Sequence, residues 1–106
     1  TNEKTIKENP QLVQKMVRAT LKGIAYTIDH PDESFEICKK YIANLANADQ
    51  ALQKQVLLNS IEQWKADHLG MASAQSWENM QRILLKMELL KAPLNLNQAY
   101  TNQFVP

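Results

Sequence analysis

Apolar residues recur every three or four positions through most of this chain, and no segment alternates with a period of two over a strand's length. Leu12, Val13, Met16, Val17, Leu21, Ile24 and Ile28 fall on one helical face, which predicts a helix over 10–29. Its start has a mechanism: Asn9 can accept bonds from free backbone donors, and Pro10 fits the first helical position. Gly23 interrupts the helix at a cost of about 1 kcal/mol relative to Ala, which points to close packing there. Ahead of Asn9, Lys4 to Glu8 adds a short helical turn.

A second helix begins at His30-Pro31, with Asp32 and Glu33 in the first turn, where the helix dipole favours anions. Phe35, Cys38, Tyr41 and Ile42 form its apolar stripe, and it ends near Ala43, with 44–47 as the connection. A third helix over 48–66, opened by Asn47 or Asp49, carries Leu52, Val56, Leu57, Ser60, Ile61 and Trp64 on one side. Gln50, Gln53, Lys54 and Gln63 are expected on a solvated face. After a loop over 67–72, Ser73 caps a fourth helix over 74–90, striped by Trp77, Met80, Leu84 and Met87. Pro93 closes that region. The tail has Leu94, Leu96, Tyr100 and Phe104 as anchors, with one helical turn at 97–101. The segments after Pro10 and Pro31 do not align as a repeat. The expected architecture is all-α: about four helices plus a C-terminal strap, forming one helical unit over 1–106.

Composition narrows the classes. Two glycines and four prolines in 106 residues are few for an all-β chain, which needs many turns. Twelve Lys and Arg against 11 Asp and Glu leave a formal charge of +1, no field for nucleic acid or an anionic membrane. Lys4, Lys7, Lys15, Arg18 and Lys22 are too dispersed for a nucleic-acid stripe. Cys38 is the single cysteine, so no internal disulfide forms and the redox compartment stays open. No apolar run reaches the roughly 18 residues of a membrane span, and no signal-peptide pattern is present. Residue 1 is Thr, which leaves processing, proteolysis or a start inside a longer protein all open.

Chemistry-bearing residues are sparse. His30 and His68 are the only imidazoles. His30 could serve as an acid–base or metal group beside Asp29 and Asp32, but reads better as a helix-boundary residue, and His68 as a loop residue. No His, Cys, Asp and Glu set has zinc spacing. Cys38 lies on an apolar stripe with no histidine near it in sequence, so it reads as a small hydrophobe rather than a nucleophile. Trp64 and Trp77 could join an aromatic cage but read as core, as do Met16, Met80 and Met87. No catalytic, cofactor-binding or metal residue is assigned.

Several stretches carry a resemblance: Asn9-Pro10-Gln11-Leu12-Val13, Arg18-Ala19-Thr20-Leu21-Lys22-Gly23, His30-Pro31-Asp32-Glu33, Trp64-Lys65, Ser76-Trp77-Glu78-Asn79-Met80 and Tyr100-Thr101-Asn102-Gln103-Phe104. In this order they resemble the C-terminal section of the solute-binding proteins for thiamine-pyrimidine precursors and for nitrate, sulfonate or taurine. The same fold family includes a thiamine pyrimidine synthase, and the Tyr-Thr-Asn-x-Phe tail leans toward pyrimidine handling. The resemblance implies a larger two-lobed α/β parent of the periplasmic-binding-protein type II kind. In such a parent these helices support the sheet and hinge, while ligand contacts and any catalytic residues lie elsewhere. It implies as partners the remainder of the parent and, for a binder, a transporter permease. The compartment would be periplasmic for a binder and cytoplasmic for a synthase. A self-standing helical interaction module is the remaining alternative. Detached from its parent, the piece is expected to expose apolar faces and self-associate as a dimer or higher oligomer. One departure stands out: family members often place Gly at the end of the last long helix, where this chain has Glu88-Leu89-Leu90.

Overall fold

The predicted helix starts are built as their side chains dictate. In a computed structural model describing residues 1–106, the chain is 67% helical with five helices and no strands, so the all-α expectation holds. The helices are α1 (Glu3–Glu8), α2 (Pro10–Asp29), α3 (Pro31–Tyr41), α4 (Gln50–Trp64) and α5 (Ala74–Lys86). Short 3₁₀ turns occupy Leu45–Asn47 and Leu96–Gln98. Asn9 Oδ1 accepts the Leu12 amide at 3.1 Å, Asp49 Oδ1 the Leu52 amide at 3.0 Å, and Ser73 Oγ the Ser76 amide at 3.1 Å. Each bond satisfies a donor that the first helical turn leaves free. Pro31 starts α3, whereas His30 makes no side-chain cap bond.

The chain divides into two units, one formed by Thr1–Gln14 with Gly70–Pro106 and the other by Lys15–Leu69. In the second unit, α3, α4 and the turn at Leu45–Asn47 pack on one another. Phe35 and Ile61 are buried there. The Gln50 amide nitrogen donates to the carbonyls of Leu45 (2.7 Å) and Ala48 (3.0 Å), tying the turn to the start of α4. Lys54 pairs with Asp32 at 2.8 Å, joining α4 to the first turn of α3. In the first unit, α5 packs against the turn at Leu96–Gln98.

Four expectations are corrected. Helix α5 stops at Lys86 rather than 90, because Glu88 takes a left-handed conformation with φ of 58°. The Glu88 amide then donates to the Leu85 carbonyl (3.1 Å) and the Leu89 amide to the Leu84 carbonyl (3.0 Å), closing a Schellman motif. Gln50, Gln53 and Lys54 are half-buried rather than solvated. At helical spacing they share a face with Leu57 and Ile61, while Leu52 and Val56 turn outward and are exposed. Close packing at Gly23 is absent: a Cβ built there meets nothing within 4 Å. Met16, Met80 and Met87, expected in a core, are all exposed.

Candidate functional site

The Tyr-Thr-Asn-x-Phe tail has a specific mechanical role in the first unit. The Tyr100 ring stacks on Trp77 with centroids 5.2 Å apart and planes within 4°. Two residues on, the Asn102 amide grips the backbone of one residue in the loop before α5. Its Nδ2 donates to the Ala72 carbonyl (2.9 Å) and its Oδ1 accepts the Ala72 amide (3.0 Å). An asparagine side chain has the donor and acceptor geometry of a peptide group, so it can pair with backbone as a strand would. Thr101 Oγ1 accepts the Gln103 amide at 3.3 Å, bending the chain after the clasp. Upstream, the Leu94 amide donates to Gln81 Oε1 at 2.6 Å. The strap is thus pinned along the side of α5 that presents Trp77, Gln81 and Leu84. A small apolar cavity of about 50 Å³ lies there, lined mainly by Trp77, Met80, Leu84, Leu90, Leu94 and Leu96.

Each unit also has a larger depression. One, of about 360 Å³, is bounded in the first unit by Ile6, Pro10, Gln11, Gln14, Gln103 and Phe104. Its three glutamines are exposed and their side chains make no hydrogen bond within the protein. The other, of about 240 Å³, lies in the second unit between α3 and α4, with Phe35, Cys38, Ile42, Leu45, Val56 and Leu57 among its lining residues. Cys38 is half-buried in that groove without a histidine or carboxylate partner, so nothing activates its thiol.

The remaining candidates stay apart. His30 packs its ring against Tyr26 (centroids 4.4 Å) at the corner between α2 and α3. The Tyr26 hydroxyl donates to Glu33 Oε2 at 2.7 Å. That bond, with some desolvation and the carboxylate's charge, raises the phenol's pKa above its usual 10.0. His68 is exposed in the loop before α5. No three His, Cys, Asp or Glu residues gather as a metal site. Trp64 belongs to the second unit and is exposed, whereas Trp77 belongs to the first and stacks on Tyr100. Sequence reasoning singled out Asn102 through its motif but missed Gln81 and Gln50 as strap and turn fasteners. The available signal for Gln81 was its place four residues after Trp77, on the same face. Nothing comparable marked Gln50.

Comparison with known proteins adds a lineage to this geometry. Residues 1–34 match the family model described as NMT1/THI5 like. The chain is 38% identical, over 99% of its length, to the riboflavin-binding protein RibY of Chloroflexus aurantiacus, and covers 31% of that protein. It is 23% identical, over 93% of its length, to a 4-amino-5-hydroxymethyl-2-methylpyrimidine phosphate synthase of Legionella pneumophila, and covers 30% of it. The chain therefore spans a little under a third of the length of the curated relatives it matches. No solved structure matches it. No helix is long and apolar enough to cross a membrane. With two relatives aligned along almost all of it and a family-model match at its start, the chain is similar to members of the NMT1/THI5-like family, and these similarities support a C-terminal section of that family.

Proposed function

We propose that this chain is the C-terminal helical section of a longer solute-binding protein that takes a small nitrogen heterocycle and delivers it to a transporter permease. Riboflavin and a thiamine pyrimidine precursor are the two heterocycles to test. The carrying observation is the contrast in similarity: 38% identity to a riboflavin-binding protein against 23% to a pyrimidine phosphate synthase, each over nearly the whole chain. The chemistry on the page agrees. Cys38 has no base beside it, neither histidine joins a second catalytic group, and Tyr100 and Asn102 of the tail motif hold the strap. The binding groups then reside in the rest of the longer protein, and this section supplies support.

The second reading is the C-terminal section of a thiamine pyrimidine synthase, favoured by the Legionella relative. In that case too the reacting groups lie outside these residues. A binder works outside the cytoplasm and calls for an export signal at the start of the encoded protein; a synthase calls for none.

Titrating the full encoded protein with riboflavin, and separately with hydroxymethylpyrimidine, by fluorescence and calorimetry tests the proposal. Saturable micromolar or tighter binding of one of them is expected, with none to residues 1–106 alone. Formation of pyrimidine phosphate by the full protein, or equal affinity in the 106-residue chain, would overturn it.

A further inference from the structure

Tyr100, Thr101 and Asn102 of the tail motif are engaged within the strap, which leaves Gln103 and Phe104 unused. These two are the central pair of a turn closed by the Val105 amide, which donates to the Asn102 carbonyl at 3.0 Å. Asn102 is itself anchored on Ala72, so the tip of the turn is held in place. That tip borders the depression of about 360 Å³, at the small end of the range for small-molecule sites. Ile6, Pro10 and Phe104 supply its apolar surface, and the Phe104 ring is only half-buried. Gln11 and Gln14 stand three apart on one side of α2. Together with Gln103 they bring three exposed primary amides that bond nothing within the protein. The lining is uncharged throughout.

We propose that this depression is a binding site for a small neutral aromatic amide. It is separate from the solute site that the proposed function assigns to the rest of the longer protein. A primary amide carries two N–H donors and a carbonyl acceptor, so a glutamine can pair with a ligand amide through two hydrogen bonds. Phe104 offers the ligand's ring a face or an edge. The same combination of ring and amide already operates in this unit, where Tyr100 stacks on Trp77 and Asn102 bonds both backbone polar groups of Ala72. An uncharged lining selects against ions, because a carboxylate or ammonium would lose hydration with no opposite charge to replace it. The turn fixes Gln103 and Phe104 before any ligand arrives, which lowers the ordering cost of binding. One side of the ligand stays in water, so an affinity of about millimolar is expected.

Benzamide is the probe, titrated into the full encoded protein carrying isotope-labelled glutamine and followed by NMR. The side-chain amide signals of Gln11, Gln14 and Gln103, assigned by single substitutions, are expected to shift together and to saturate. Benzoate, of the same shape but charged, should bind at least about tenfold more weakly. Gln103→Leu alters an exposed side chain with no internal bond, so the fold should persist while benzamide affinity falls about fivefold. Shifts confined to other glutamines, or shifts that never saturate up to the solubility of benzamide, would overturn the proposal. Equal binding of benzoate, or an unchanged affinity in Gln103→Leu, would do the same. Riboflavin and pyrimidine titrations of the same sample read a separate, much tighter event and bear only on the proposed function.

Discussion

Glu88 is ill-suited to its position on two counts, and the two can be measured apart. Its φ of 58° places an L-residue in the left-handed region, which costs about 1–2 kcal/mol relative to a right-handed residue. It is also an anion just past the C-terminus of α5, where the helix dipole disfavours negative charge by about 0.3–1 kcal/mol. Its carboxylate makes no hydrogen bond or ion pair that would offset either. The backbone bonds of the Schellman motif demand the left-handed residue all the same.

Glu88→Ala removes the charge and keeps the backbone strain, so it should stabilise the chain by a few tenths of a kcal/mol at low ionic strength and by less in salt. Glu88→Gly removes both, but glycine's freedom in the unfolded chain returns about 0.5–1 kcal/mol of the gain. The net is a further increment of about 0.5–1 kcal/mol over the alanine variant, or a few degrees in melting temperature for a domain of this size. Helical circular dichroism during urea and thermal unfolding reads both variants. The increment of Gly over Ala should persist at high salt, since strain is not screened. A glycine variant no more stable than the alanine variant would refute the assignment of strain at this residue.

Other outcomes follow from single groups. Gly23→Ala should stabilise the chain by about 1 kcal/mol in urea unfolding, because the new methyl meets nothing while the helix gains propensity. Ser34 is 6% exposed and its hydroxyl has no partner, so Ser34→Ala should be neutral or stabilising by about 1 kcal/mol in the same assay; a clear loss would reveal a bond the hydroxyl makes. Asn102→Ala frees both backbone polar groups of Ala72 and should cost about 1–3 kcal/mol, with a shift in tryptophan emission as Tyr100 leaves Trp77. Tyr26 titrates above its ordinary value because its proton is held by Glu33, so the bond's contribution is intact below pH 10.0 and is lost as pH rises through the raised pKa. Glu33→Gln should move that step toward lower pH in a phenolate absorbance titration.

Much of the fold was legible because helix starts are local chemistry. Asn9, Asp49 and Ser73 each announce a cap in sequence, and each makes the expected bond. Helix ends were less legible. The end of α5 depends on one residue adopting a rare backbone conformation that its identity argues against, so sequence extended the helix past it. The interior face of α4 was misjudged because polar Gln50, Gln53 and Lys54 share that side with Leu57 and Ile61. Gln50 and Lys54 are drawn there by the turn carbonyls and Asp32, partners that no window of sequence reveals.

The same logic separates what the tail motif is from what it does. A conspicuous string such as Tyr100-Thr101-Asn102-Gln103-Phe104 invites a ligand-binding interpretation, yet three of its side chains are engaged within the unit while Gln103 and Phe104 border the open depression. Tyr100 is spent on Trp77, Asn102 on both polar atoms of Ala72, and Thr101 on its own turn. What the motif does in this chain is fasten the strap, through that stacking ring and that amide.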